Sequence, residues 1–402
     1  MTPATAETRQ YLAKRERILD AAAALVNSSG VRALSIADVA DSVGLGTTSI
    51  TYYFRRKELL VAACFDRALD RLDRLVSLAE QEPDAERRVT RYVEENFAML
   101  GRVARGEETP VARLSDLRAL DEPLRGQLIG RYLTIYRRVR HFWDSDGSPL
   151  QRARQTARAH ILLDTVFWMP AWLPLYDPRD YGRVCHRLLE LLRHGLLPAG
   201  APAAGLETGS LQVPDLATSP FLAAAIRLIN TRGYKGASVD LIAAELGVTK
   251  GSFYHHLDGK DDLVQACFEQ SFQWIDDAQR QADAAGGPHG ERLVKAMLSL
   301  VTRQLSPSAA PLLRNIALHT LPQAISAQVM AKSRRITARF AGTMIDGITD
   351  GSIRPIDPWI AAQTLMVTLN AAYELRHWAA RCGLENAMAT YAQAFLFGLF
   401  NE

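Results

Sequence analysis

One internal repeat constrains this chain more than any other feature. The stretch SIADVADSVGLGTTSITYYFRRKELLVAACF begins at Ser35, and SVDLIAAELGVTKGSFYHHLDGKDDLVQACF begins at Ser238, 203 residues later. At that offset Ser35, Ala40, Gly44, Ser49, Lys57, Leu60, Cys64 and Phe65 align with Ser238, Ala243, Gly247, Ser252, Lys260, Leu263, Cys267 and Phe268 without a gap. Upstream, Leu19, Leu25, Asn27 and Gly30 align with Leu222, Leu228, Asn230 and Gly233. A chain of 402 residues is too long for one core. A single repeat of about 200 residues is the duplication of a whole unit, not a solenoid of short modules.

Nearly all of the chain carries helical periodicity. Ile18, Ala22, Leu25 and Val26 share one face after a basic lead-in of Arg9, Lys14, Arg15 and Arg17, and Gly30 closes that helix. Ser35 is placed to cap the next helix, with Ile36, Val39, Ala40 and Val43 as its apolar stripe. Gly44 permits a tight turn into a helix over about 47–53, and Lys57 opens a long amphipathic helix. Prolines and the DSDGSP turn at 144–149 punctuate further helices up to about Leu196. Residues 198–220, PAGAPAAGLETGSLQVPDLATSP, are rich in Pro, Ala and Gly and almost free of charge, which marks a linker. The copies continue past their first segments. Pro110-Val-Ala-Arg113 matches Pro311-Leu-Leu-Arg314, and Gly195-Leu196 matches Gly398-Leu399. The expected division is a head at 11–71, a body at 72–197, the linker at 198–220, a second head at 214–274 and a second body at 275–402.

The repeated segment meets the demands of a helix-turn-helix that enters a DNA groove. A small residue, Ala40 or Ala243, suits the crossing of its first two helices, and Gly44 or Gly247 suits the turn. Ile50 and Phe54, or Phe253 and Leu257, bury one side of the second helix. Its opposite side then offers Thr47, Thr48, Thr51 and Tyr52 in one copy, and Thr249, Lys250, Tyr254 and His255 in the other. The run Gly247-Val-Thr-Lys-Gly-Ser-Phe-Tyr-His-His-Leu-Asp-Gly-Lys-Asp-Asp-Leu263 closely resembles the DNA-binding head of the TetR family of bacterial regulators. Gly44 to Leu60 keeps the same frame, with Gly46-Thr47-Thr48 and Thr51 where the family more often has Ser-Lys-Gly and Tyr. The resemblance implies an all-α fold of two TetR-like units, each a three-helix head followed by a helical regulatory body. It implies phosphate contacts from Ser49, Tyr53 and Lys57 and from Ser252, His256 and Lys260, with Ser35 and Ser238 near the same strand. Its implied partners are a double-stranded DNA operator and a small apolar or amphipathic effector, whose binding releases the DNA.

Other residue patterns exclude more than they suggest. The four cysteines show no CxxC spacing, so neither a zinc site nor a disulfide framework is expected. Adjacent His255 and His256 point about 100° apart on a helix and have no spaced carboxylate or Cys to complete a metal site. No nucleophile–His–acid order, phosphate loop or dinucleotide fingerprint occurs, so no enzymatic activity and no cofactor are expected. A net charge of +3 argues only weakly for an anionic partner. No run of 18 apolar residues suggests a membrane span, and a cytoplasmic setting is expected. Two aromatic clusters, Phe167, Trp168, Trp172 and Tyr176, and Met366 and Tyr373, are candidates for an effector pocket. Such clusters also serve as core or interface.

TetR-like regulators pair through the last helices of their bodies, and this chain holds both partners. The linker spans about 25 Å as a coil and about 70 Å extended, enough for one chain to fold as its own pseudo-dimer. The expected four-helix contact joins 161–172 and 180–196 to 361–379 and 385–400; a homodimer of chains is the alternative assembly. The competing functional reading is an all-helical scaffolding protein whose heads no longer bind DNA.

Overall fold

The computed structural model describes residues 3–201, 219–236, 238–245, 259–314 and 323–401. Every regular element among them is a helix, as the periodicity requires. The chain divides into two units: Met1–Gln81 with Ala98–Val139, and Glu82–Phe97 with Arg140–Glu402.

The first unit opens with α1 (Pro3–Ala33), whose backbone leaves helical geometry at Gly30. Ile18, Leu19, Ala22, Ala23 and Val26 form its buried stripe. α2 (Ile36–Val43) begins with a capping box: the Ser35 hydroxyl accepts from the Asp38 N–H, and the Asp38 carboxylate accepts from the Ser35 N–H. Gly44 ends α2 in the left-handed region (φ 67°, ψ 37°), which a side chain would resist. α3 (Thr47–Tyr53) and α4 (Lys57–Ala79) follow, and α1 packs on α2 and α4 while α2 packs on α3. Leu60, Val61, Cys64 and Phe65 are buried on α4, each large side chain contributing about 1.5–3 kcal/mol. Cys64 is a core residue beside buried Phe65; burial pushes its thiol up to about 12.

The division between units falls within α5 (Ala85–Ala104). α6 (Leu124–Arg140) is clamped to α4 by ion pairs. Arg131 reaches Asp66 and Asp70, and Arg138 reaches Asp73, Ser77 and Glu80. Partly exposed pairs contribute only about 0–1 kcal/mol each, but four carboxylates spaced along α4 fix the register of α6. Asn27, near the end of α1, donates to the Val111 carbonyl (2.9 Å) and accepts from the Arg113 N–H (2.8 Å), tying α1 to the segment that precedes α6.

The second unit repeats this plan and adds the ends of both copies. α7 (Pro149–Trp172) and α8 (Tyr181–His194) belong to the first copy. The second supplies α9 (Pro220–Gly236), α10 (Val239–Glu245), α11 (Lys260–Ala284), α12 (His289–Leu305) and α13 (Gln323–Thr349), then α14 (Pro358–Ala371), α15 (Arg376–Cys382) and α16 (Leu384–Leu396). α9 leaves helical geometry at Gly233, as α1 does at Gly30. Asn230 donates to the Leu312 carbonyl (2.9 Å) and accepts from the Arg314 N–H (3.0 Å), reproducing the Asn27 latch. Arg339 pairs with Asp276 and Asp283, and Lys332 with Glu269, reproducing the clamp of α6 on α4.

The last helices of the two copies pack on one another. α7 lies against α14 and α16, and α8 against α14. Three backbone bonds join the ends: the Leu396 carbonyl accepts from the Leu196 N–H (2.8 Å) and the Leu197 N–H (3.0 Å), and the Leu192 carbonyl accepts from the Leu399 N–H (2.8 Å). Here the matched glycines have a physical reason. A Cβ on Gly195 would overlap the Leu396 carbonyl, and one on Gly398 the Arg193 carbonyl. Polar side chains also meet backbone and carboxylate at the same seam. Buried His160 sits with Nε2 2.9 Å from the Ala371 carbonyl and Nδ1 3.1 Å from Asp164, and Arg187 reaches Asp357 at 2.6 Å.

Candidate nucleic-acid interface

The first head presents its recognition helix outward. Ile50 is fully buried and Phe54 nearly so, which anchors the inner side of α3 on the head. Thr47, Thr48, Ser49, Thr51 and Tyr52 are exposed, Tyr53 and Lys57 partly so. The Thr51 hydroxyl donates to the Thr48 carbonyl (3.0 Å), leaving its lone pairs and methyl group outward. Tyr52 is 75% exposed, an unusual degree for a ring that size, since an aromatic surface left in water forgoes its burial energy. Exposed Arg55 and Arg56 and the partly exposed Lys57 then make a basic corner between α3 and α4, at the terminus of a 23-residue helix whose first N–H groups receive no side-chain cap. Cations beside the N-terminus of a helix together suit a phosphate. Ser35 is committed otherwise: its hydroxyl accepts from the Asp38 N–H at 3.1 Å and donates to the Asp38 carboxylate at 2.7 Å.

One contributor to this surface has no counterpart in the motif. Tyr11, near the start of α1, lies 4.7 Å ring to ring from Tyr53 and 6.2 Å from Tyr52, which in turn meet edge-on at 5.3 Å. The three rings form a cluster that orients the outermost side chain of α3. Arg15 stacks on Phe54 at 5.3 Å and Arg17 donates to the Val43 carbonyl, so the basic lead-in of α1 also braces the head. No motif identifies Tyr11, whose partners lie some 40 residues away.

In the second head, Ser238 caps α10, its hydroxyl accepting from the Leu241 N–H at 3.2 Å. Ala243 is buried and Lys260 opens α11. Thr249, Lys250, Ser252, Tyr254, His255 and His256 lie outside the described residues.

The six candidate effector residues fall in the second unit. Phe167 and Trp168 are partly exposed and meet edge-on at 5.4 Å; Trp172 is buried and meets Tyr176 at 6.2 Å. Met366 and Tyr373 are buried, with Arg376 stacked 4.2 Å from the Tyr373 ring. α7, which carries the first three, packs on α14, which carries Met366. An open cavity of about 450 Å³ lies elsewhere, beside Arg140, Trp143, Arg152 and Gln155. Among the described residues no group of three or more His, Cys, Asp or Glu is placed to hold a metal ion, and no helix is long and apolar enough to cross a membrane.

Comparison with known proteins places the repeated segment. A family model described as bacterial regulatory proteins, tetR family, matches residues 18–64 and again 221–267. A model described as a tetracyclin repressor-like C-terminal domain matches 286–378. The chain is 44% identical over 45 residues to the transposon Tn10 TetC protein of Escherichia coli, covering 11% of this chain and 23% of that protein. It is 25% identical over 149 residues to the uncharacterized HTH-type transcriptional regulator YhgD of Bacillus subtilis (strain 168), covering 36% of this chain and 76% of that one. A third similar protein, an uncharacterized HTH-type transcriptional regulator in the dhlA 5' region of Xanthobacter autotrophicus, is 37% identical over 71 residues, covering 18% of this chain and 34% of that one. The chain therefore spans about a quarter of the first and a third of the last. Among solved structures, apo AibR is 22% identical, covering 44% of this chain and 96% of that chain with a TM-score of 0.37.

Proposed function

We propose that the chain, whose residues 18–64 and 221–267 both match the tetR family of bacterial regulatory proteins, is a ligand-responsive repressor that folds as its own pseudo-dimer on an asymmetric operator. The observation that carries the reading is α3: a helix anchored by Ile50, with Thr47, Thr48, Ser49, Thr51 and Tyr52 turned out beside a basic corner. Hydroxyls and an aromatic edge suit base readout in the major groove, while Lys57, Arg55 and Arg56 suit phosphates. At the 203 offset the second head offers Thr249, Lys250, Ser252, Tyr254, His255 and His256. The two recognition segments differ at most outward positions, so their half-sites differ too.

Packing of α7 and α8 against α14 and α16 within one chain supports the pseudo-dimer. So does the chemical inequality of the seam. His160 of α7 meets the Ala371 carbonyl of α14, and Arg187 of α8 meets Asp357 just before α14; these join unlike residues of the two copies, so pairing each half with its own kind would not reproduce them. The effector acts by favouring one of two arrangements of a head relative to its partner, and it does so only through unequal affinity for the two. The Asn27 and Asn230 latches connect each head's first helix to its body and suit that coupling. The protein works by binding in the cytoplasm and performs no catalysis of its own.

Selection of bound fragments from random DNA by the purified full chain, followed by sequencing, tests the reading. One operator with two unlike half-sites, bound by a single chain in light scattering, is the expected result. A perfect palindrome bound by two chains overturns the pseudo-dimer, and absence of any sequence preference favours a helical scaffold over a regulator.

A further inference from the structure

The outward side of α3 offers few ways to read a base. Thr47, Thr48, Ser49 and Thr51 carry short side chains close to the helix backbone, and the Thr51 hydroxyl is already bonded to the Thr48 carbonyl. Tyr52 reaches furthest and is 75% exposed. A ring so exposed changes rotamer freely unless a neighbour fixes it, and fixing it only on binding DNA costs affinity. The direction of this one side chain therefore governs what α3 can discriminate.

The neighbour that fixes it comes from α1. Ile18 and Leu19 begin the buried stripe of that helix, while residues 9–13 are exposed, so no core holds the start of α1. It meets the end of α3 through rings instead. Arg15, one turn before Leu19, stacks 5.3 Å from Phe54. Tyr11, two turns before Ile18, lies 4.7 Å from Tyr53 with 32° between the planes, and 6.2 Å from Tyr52 at 79°. Tyr52 and Tyr53 are themselves nearly perpendicular, at 88°. Neighbours on one helix point about 100° apart, and Tyr11 touches both of these rings and links them. Tyr52 is thereby held edge-on by two rings from different helices.

The recognised motif does not supply this third ring. Tyr11 lies ahead of residues 18–64, the first segment that matches the family model. At the 203 offset Pro214 takes its place, and His255 and His256 take those of Tyr52 and Tyr53. We propose that Tyr11 is a specificity-determining residue of the first head: a positioning residue that sets the base discrimination of Tyr52 without touching the bases, while the second head reads its half-site with no such ring. This assignment rests on the reading of the chain as a DNA-binding regulator and extends it to a residue outside the helix-turn-helix.

The test uses the full chain and the operator it selects from random DNA. Tyr11→Ala should weaken operator binding about three- to tenfold. It should also relax base preference in one half-site only, the same one that Tyr52→Ala relaxes. Tyr11→Phe keeps the ring and should restore both affinity and preference. In a Tyr52→Ala background, Tyr11→Ala should add less than about twofold, because its effect runs through Tyr52. Fluorine NMR of the chain labelled with fluorotyrosine checks the contact without DNA: the Tyr52 resonance, identified by its loss in Tyr52→Phe, should move in Tyr11→Ala. Should Tyr11→Ala lower the melting temperature, Tyr11→Leu, which keeps apolar bulk without a ring, takes its place in every comparison. The assignment is overturned by unchanged operator affinity in the ringless variant, by independent effects of the Tyr11 and Tyr52 substitutions, by equal relaxation in both half-sites, or by a Tyr52 resonance that stays in place. A loss in Tyr11→Phe equal to that in Tyr11→Ala also overturns it, since the hydroxyl would then be a DNA contact. A moved resonance in a protein whose parent shows no sequence preference overturns the regulator reading, and the specificity role with it, while the ring cluster stands.

Discussion

Replacing Asn230 with alanine should cost the protein about twice what the same change costs at Asn27, although the two asparagines make the same bonds. Each side chain donates to one backbone carbonyl and accepts one backbone N–H, at 2.8–3.0 Å. Two such bonds contribute about 1–3 kcal/mol together. The difference lies in what is left behind. Asn230 is 4% exposed and Leu312 1% exposed, so removing the amide strands a buried carbonyl that water does not reach. Asn27 and Val111 are partly exposed and Arg113 is exposed, so water replaces the lost partner there. The worked expectation is about 3 kcal/mol for Asn230→Ala and about 1–1.5 kcal/mol for Asn27→Ala. Urea unfolding of the full chain, followed by far-UV circular dichroism, measures both. A loss at Asn27 equal to or greater than that at Asn230 would refute the argument from burial. Losses below about 0.5 kcal/mol at both would show that neither latch holds its helix.

Three further outcomes follow from the site. Tyr52→Ala should weaken operator binding by about 1–3 kcal/mol without altering the melting temperature, because the ring is exposed; a fall in melting temperature comparable to the loss of affinity would place Tyr52 in the core of the head instead. Lys57→Ala should lower affinity for all sequences alike and reduce the slope of log K against log salt by about one, and a change in sequence preference at constant slope would contradict its role at phosphate. Burial pushes the thiols of Cys64, Cys185 and Cys267 up to about 12, so at pH 8 they stay protonated and inert. Iodoacetamide followed by mass spectrometry should label only Cys382, the one partly exposed thiol among the four, until denaturant is added. Labelling of Cys64 at a comparable rate would mean that the first head opens readily.

The sequence by itself determined whatever depends on local physics. Helical periodicity placed α1 through α4, Ser35 announced its capping box, and Gly44 announced a turn with positive φ, because caps, turns and amphipathic stripes are decided within a few residues of themselves. The duplication was legible for the same reason: it needs only identity at a fixed offset. The outward side of α3 could also be read from the sequence, since burying Ile50 and Phe54 leaves the other side free.

Tertiary structure decided everything that requires knowing a partner. Tyr11 carries no signal until Tyr52 and Tyr53 are brought beside it. Asn27 and Asn230 repeat in the sequence, but their role appears only when Val111 and Leu312 arrive from some 80 residues further on. Gly195 and Gly398 align as letters, and only the crossing of two chain segments at Leu396 and Arg193 explains why neither tolerates a Cβ. The matching ion pairs of the two bodies were hidden as well: Asp73 and Asp276 stand 203 apart, while their partners Arg138 and Arg339 stand 201 apart. Which groups a buried polar side chain meets depends on neighbours distant in sequence, so only the fold reveals them.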